Sequence, residues 1–341
     1  MSFIKKITIK GHKLRLFLFL ILIPCFVLAE IGTEDYRKYH STKSKFKLEK
    51  SAQGLNYPWA LTFIDKVNVL ITEKDGGLYK VNVLTGGKEK IKHEIAHIGY
   101  DGSGQGGLLD VYFYPPDGYV YFTYSHKSSK LTRSKQISKK SSTAIARGRL
   151  IENEIKDFEI LLIAKPEFLE NRHYGSRLAI KGDDLFASFG ERGQGMISQD
   201  STKHPGSIIR IKTNGEIPKD NPRFKGKKDW LPEIYVIGVR NPQGITISPH
   251  DEEVYFSSHG PRGGDHIGQV EFGSNYGWKD IAWGGREYYG LGIGDAPFKD
   301  KYKKPLISWV PSMGISSIQF YEGEAFPEWR GDLLVASLNG Q

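Results

Sequence analysis

Five times along this chain an apolar run enters a turn rich in Pro, Asp or Gly and leaves it as a second, aromatic-rich run. The pairs are 59–64 with 69–73, 108–114 with 119–125, 177–180 with 185–189, 244–248 with 254–258, and 316–321 with 333–337. Period-2 alternation on both sides of such turns is the pattern of β-hairpins. The gaps between pairs leave room for one or two more strands each, such as 148–151, 207–212 and 233–239. No amphipathic helical run of ten or more residues lies between them. Hairpins repeating without intervening helices argue against a βαβ fold and predict an all-β propeller, with one hairpin at the heart of each blade.

A chain of 341 residues, 39% hydrophobic and 12% aromatic, can bury a full core as one domain. Residues 1–29 stand apart. Lys5, Lys6, Lys10, Lys13 and Arg15 precede an apolar run over 16–29 that ends in Val27-Leu28-Ala29. That is the organisation of a secretory signal, and the run is short for a bilayer span. The expectation is export with cleavage near Ala29, a flexible segment over 30–45 and a propeller domain over 46–341. Cys25 lies inside the leader, so the mature chain holds no cysteine and no disulfide. Export without cysteine leans towards a bacterial envelope compartment, periplasmic or secreted. The leader carries five of the cations and no acid, so its removal lowers the formal net charge of +9 to +4. Such a charge demands no nucleic-acid partner. The densest basic stretch, 127–140, is interleaved with serines and reads as a solvated loop.

Four polar runs fall at predicted strand ends, where the strands of one fold can converge on a single site. They are Gln105-Gly106-Gly107-Leu108-Leu109-Asp110, the run around His173 from Asn171 to Leu178, Arg240-Asn241-Pro242-Gln243-Gly244, and His259-Gly260-Pro261-Arg262-Gly263-Gly264-Asp265. The glycines over 102–107 could be mistaken for a nucleotide-binding turn. They lead into a strand and no helix, so a nicotinamide held on a Rossmann unit is disfavoured.

Together, and in this order, the four runs resemble the soluble, pyrroloquinoline-quinone-dependent aldose dehydrogenases of the glucose/sorbosone dehydrogenase family. The resemblance implies a six-bladed β-propeller of antiparallel four-stranded blades. Five hairpins are visible, so the chain reads as truncated in the last blade, with 46–51 as an early strand that would help close the ring. It implies oxidation of an aldose at C1, with a small sugar as substrate and an electron acceptor that stays unknown. Removing the C1 hydroxyl proton needs a base with a pKa near working pH, and His173 matches the family's catalytic histidine. Arg240 and Asn241 match residues that contact the quinone oxygens, and Gln105 matches a residue lining the same pocket. His259 and Asp265 belong to the same cofactor-binding set. Ca²⁺ is implied on the main-chain carbonyls of Gly260 and Pro261, which leave no side-chain trace.

The chain departs from the family pattern in places. Asn339 stands where relatives place a Lys opposite a cofactor carboxylate. Arg172 stands where they have an acid or Asn, and His266 replaces the Glu of a second, structural calcium site whose Asn275-Tyr276-Gly277-Trp278 partner run is intact. Bland readings exist beside these: His173 as a histidine satisfied at a strand end, Arg240 as a surface ion pair, Asn241-Pro242 as a turn. The alternative for the whole chain is a non-catalytic, carbohydrate- or protein-binding propeller. A lactonase-type propeller ranks behind both, because its cluster of carboxylate and Asn ligands cannot be assembled here.

Overall fold

Strands whose two faces are both buried carry near-continuous apolar runs, and in a propeller each blade is buried between its neighbours. The computed structural model of this protein describes residues 46, 49–95, 104–127, 139–222, 229–294 and 297–338, with the backbone alone of Lys6–Ile9 and His12–Leu20. Among the described residues four complete four-stranded antiparallel blades follow one another along the chain. Blade one comprises Pro58–Phe63, Asn68–Glu73, Leu78–Asn82 and Lys88–Lys90. Blade two comprises Leu108–Tyr114, Tyr119–Lys127, Ser141–Ile151 and Glu154–Ile163. Blade three is Gly175–Lys181, Asp184–Phe189, Ser207–Lys212 and Ile234–Ile237, and blade four is Pro242–Ile247, Val254–Ser258, Asp265–Gln269 and Ile307–Trp309. A fifth sheet is built on the hairpin of Ile315–Phe320 with Leu333–Ser337.

Each blade is a meander, and the first strands of consecutive blades lie side by side. Successive side chains of one strand face opposite neighbours, as the pleat requires. In blade three, Leu178, Ile180, Leu185, Ala187, Phe189, Ile209 and Ile211 face blade two's Tyr121 and Ile145. Their sequence neighbours Ala179, Phe186 and Ile208 face blade four's Ile245, Val254 and Phe256.

All five hairpins expected from the sequence are present, and so are the further strands at 148–151, 207–212 and 233–239, the first as the end of a longer strand. The early strand expected over 46–51 is not: its described residues carry no strand. Glu49, Lys50 and Ser51 are exposed and bury no face against a sheet, and the Phe46 ring packs edge-on against Phe326 and Trp329. In the fifth sheet the backbone of Leu16–Leu20 instead runs parallel to Leu333–Ser337. Most of the basic stretch 127–140, Cys25 and Asn339 lie outside the described residues. No helix of the described residues is long and apolar enough to cross a membrane.

Candidate active site

An antiparallel hairpin brings the residues just before its first strand beside those just after its second. In blade three Gly175 pairs with Phe189, and in blade four Pro242 pairs with Ser258. The register therefore sets His173 beside Glu191, and Arg240-Asn241 beside His259-Gly260. Gln105 precedes the first strand of blade two at the same end, and its side-chain Oε1 accepts the His173 backbone N–H at 2.6 Å. Seven residues from five separate stretches of the chain thus gather at one end of adjacent first strands.

His173 Nδ1 lies 2.5 Å from Glu191 Oε1, with the two side chains 12% and 3% exposed. Glu191 Oε1 accepts the hydrogen bond of Nδ1–H, which leaves Nε2 as the basic nitrogen of the neutral ring. Burial pushes the His173 pKa below the usual imidazole value; the Glu191 hydrogen bond opposes this, and the positive charge of Arg240 adds to it. Burial would raise Glu191, yet the hydrogen bond and charge of His173, with the Gly195 N–H, hold its pKa below the usual carboxylate value. The backbone of His173 sits in the left-handed region at φ +51, a conformation of order 1–3 kcal/mol above the common wells for a non-glycine residue. Gly190 makes room for it. A Cβ there would stand 2.1 Å from the His173 carbonyl oxygen and 2.7 Å from Asn241 Oδ1.

Arg240 is buried, and its Nη1 donates to the carbonyls of His259 at 3.0 Å and Gly260 at 3.1 Å. Its ring neighbours are Trp278 and Tyr288. Asn241 uses Oδ1 to accept the Gly175 N–H at 3.1 Å and Gln243 Nε2 at 3.3 Å. His259 is likewise held below the usual imidazole pKa, first by burial, with Asp265 opposing and the charges of Arg240 and His173 assisting. The site thus sets the Arg240 guanidinium beside two histidines whose burial favours the neutral ring.

Asp265 does other work. Its carboxylate is fully buried and accepts four protein donors: Gly260 N at 2.7 Å, Ser312 Oγ at 2.7 Å, Met313 N at 3.0 Å and Ile315 N at 2.9 Å. With both oxygens used twice, it pins the Gly260 loop to the fifth hairpin and has no lone pair directed at a ligand. His266 is buried, lies flat against Tyr276, and its Nδ1 contacts the Gly264 carbonyl at 2.9 Å, while its buried Nε2 has no hydrogen-bond partner among the described residues. The Tyr276 hydroxyl donates to the Gln269 carbonyl and accepts the Gln269 N–H. An imidazole between aromatic rings is no calcium ligand, and among the described residues no three His, Cys, Asp or Glu gather as a metal site. Trp309 packs with the Ile267 and Ile315 core between blade four and the fifth hairpin.

Glu191 was not singled out from the sequence. The signal available was Gly190-Glu191-Arg192-Gly193, a charged pair between glycines directly after a strand of the His173 hairpin. Glu191→Gln removes the contact that raises the His173 pKa. The acid limb of any His173-dependent activity is then expected at lower pH than in the parent, with a rate about tenfold lower from a weaker, less well oriented base. A pH profile of kcat/KM checks this: the base form is present above its pKa and lost as pH falls through it, so an unmoved limb means Glu191 does not act on the titrating group.

The glucose/sorbosone dehydrogenase family profile matches residues 55–341. The aldose sugar dehydrogenase YliI of Escherichia coli is 33% identical over 296 residues, 83% of this chain and 76% of that protein. The crystal structure of the soluble aldose sugar dehydrogenase of Escherichia coli in the apo form superposes with a TM-score of 0.77 at 31% identity, covering 85% of this chain and 83% of that one. The PQQ-bound aldose sugar dehydrogenase of Streptomyces coelicolor gives a TM-score of 0.67 at 25% identity, over 86% of this chain and 78% of that one. The chain, with its all-β propeller and its polar strand ends in family order, belongs to the glucose/sorbosone dehydrogenase family, a family of sugar oxidoreductases.

Proposed function

We propose that this protein oxidises aldose sugars at C1 to the lactone with pyrroloquinoline quinone as cofactor and His173 as general base. The observation that carries the reading is the His173–Glu191 pair within reach of the buried Arg240 charge: an imidazole whose Nδ1 is held by a carboxylate, beside a cation with no acid partner among the described residues. When bound, the quinone supplies the two-electron acceptor for the hydride that C1 loses. His173 Nε2 takes the C1 hydroxyl proton, while Glu191 keeps the ring in the tautomer that can accept it and stabilises the imidazolium that forms.

The residues fit that cofactor. Arg240 spends only Nη1 on protein carbonyls, so among the described residues its Nε and Nη2 N–H groups have no protein acceptor. Aimed at oxygens that gain charge as hydride arrives, such fixed donors act as an oxyanion hole does. Asn241 Nδ2 and Gln105 Nε2 add neutral donors at the same end. Calcium fits less completely. The Gly260 carbonyl already accepts Arg240 Nη1 and the Tyr288 hydroxyl at 3.2 Å, and Asp265 has no free lone pair. Two carbonyls are a partial donor set for an ion that takes about 6–8 oxygens, so the remaining ligands would have to come from the cofactor and water. The same reading takes the ring as six-bladed, residues 1–29 as a secretory leader and the periplasm as the compartment, with Asn339 near a cofactor carboxylate.

The test uses the full chain mixed with pyrroloquinoline quinone and Ca²⁺, an aldose panel and an artificial dye acceptor. Sugar-dependent dye reduction is the expected result. A thermal shift with sugar but none with the quinone, and no turnover, would replace the enzyme by the sugar-binding propeller.

A further inference from the structure

Arg192 follows Glu191 directly and is 2% exposed. A guanidinium so deep in the protein is ordinarily paired with a carboxylate. Here, among the described residues, none of its hydrogen-bond acceptors is a carboxylate: Nε donates to the Arg172 carbonyl at 2.9 Å, Nη1 to the Ser141 carbonyl at 2.9 Å, and Nη2 to Ser141 Oγ at 3.2 Å and to the Glu170 carbonyl. Its plane covers the Tyr174 ring, with Cζ 3.8 Å from the centroid, and its backbone N–H donates to the His173 carbonyl at 3.3 Å. Burial pulls the Arg192 pKa below the usual guanidinium value, the direction expected of a buried cation held mostly by neutral dipoles.

Every one of these contacts falls on the loop that carries His173 or on the strand behind it. Glu170, Arg172, His173 and Tyr174 are all touched, and Ser141 begins the third strand of blade two. The Tyr174 hydroxyl is bonded to Ser141 Oγ at 2.7 Å and donates to Asn171 Oδ1 at 3.0 Å. Asn171 in turn accepts the N–H of Gly106 at 2.9 Å on Oδ1 and that of Gln105 at 2.8 Å on its carbonyl. The loop is thus clamped on one side by the turn before blade two and on the other by Arg192. Both His173 and Arg192 occupy the left-handed region, at φ +51 and +57, and such conformations persist only where the surroundings over-determine them.

We propose that Arg192 is a positioning residue: its fork holds the 170–174 backbone in the strained conformation that keeps His173 Nδ1 on Glu191 and Nε2 directed into the site. The inference rests on His173 acting as the base. Adjacent residues divide the task, with Glu191 fixing the ring and Arg192 fixing the chain that bears it. Lysine cannot substitute, because one ammonium cannot span three carbonyls and stack on Tyr174 as a planar five-donor fork does.

The test is Arg192→Lys in the full chain with cofactor and aldose, beside the parent and His173→Gln. Loss of alignment at the base is expected to lower kcat by about 10–10²-fold with KM for the sugar little changed. The ring, released from Glu191, loses the contact that raises its pKa, so the acid limb of kcat/KM should move to lower pH, which a loss of folded protein alone would not cause. Ser141→Ala removes one acceptor of the fork and leaves three, and should give a smaller fall in kcat with the limb moving in the same direction. It decides the matter if Arg192→Lys does not fold. Parent-like kcat and an unmoved limb in whichever variant folds would overturn the proposal. A parent that turns over no aldose, or a His173→Gln protein as active as the parent, would instead strike at the base assignment itself.

Discussion

Replacing His173 by glutamine is expected to lower kcat for aldose oxidation by about 10²-fold or more, with quinone affinity little changed. Glutamine keeps similar length and can still meet Glu191 and solvent with hydrogen bonds, but its side chain cannot take a proton near neutral pH. The affinity should survive because the groups proposed to hold the quinone, Arg240 above all, are placed by contacts that do not involve the imidazole: Arg240 Nη1 on the carbonyls of His259 and Gly260. The pH profile carries the second half of the prediction. In the parent, activity depends on the unprotonated ring, and burial with the nearby Arg240 charge sets its pKa below the ordinary histidine value. Activity should therefore rise through that lowered pKa and be flat above it, and the histidine limb should vanish in the variant. Steady-state kinetics across pH, with cofactor binding followed separately by its absorbance, checks both. Equal rates for variant and parent would mean that another group takes the proton.

Asp265→Ala should have the largest effect on stability. The carboxylate satisfies four donors at the junction of blade four and the fifth hairpin, and all are lost together. Each buried donor left without an acceptor costs roughly 1–3 kcal/mol, and breaking a buried charged network about 3–5 kcal/mol, so a loss of about 3–5 kcal/mol is expected. Asp265→Asn should recover only part of this. One end of the amide is a donor, and it would face either Gly260 N–H with Ser312 or the paired N–H groups of Met313 and Ile315. Denaturant titration of both variants measures the loss, and a change below about 1 kcal/mol for the alanine would show that the four bonds are replaced by water. Because Asp265 anchors the loop whose Gly260 carbonyl receives Arg240, the same variants should also weaken quinone binding.

The hairpins were legible because the two signals that define them are local. Alternation and turn chemistry lie within a dozen or so residues, and the five pairs recovered, from Pro58–Phe63 with Asn68–Glu73 to Ile315–Phe320 with Leu333–Ser337, needed nothing more. The stretch at 46–51 shows the limit of such signals: Phe46-Lys47-Leu48-Glu49 alternates, yet its described residues form no strand, because alternation makes a strand only where a sheet edge is there to pair with it. Among the candidate site residues, Gln105, His173, Arg240, Asn241 and His259 were visible as polar groups at strand ends in a recognisable order, with Gly260 beside them. Glu191 was not, since its importance arises from the pairing of Gly175 with Phe189, which sets it beside His173 across a hairpin. Asp265 was visible but its task was not, because three of its four donors lie 47–50 residues further along the chain.

From its sequence alone, then, this protein is an all-β propeller with its polar groups collected at strand ends, because strand, turn and burial patterns are properties of short windows. The tertiary structure decided which of those groups touch. Antiparallel register paired His173 with Glu191, the packing of blade four on the fifth hairpin consumed Asp265 as a clamp, and Arg192 was buried among the carbonyls of the His173 loop. Such contacts join residues that are distant along the chain, and only the folded backbone brings a carboxylate or guanidinium within hydrogen-bonding distance of the partner that gives it a role.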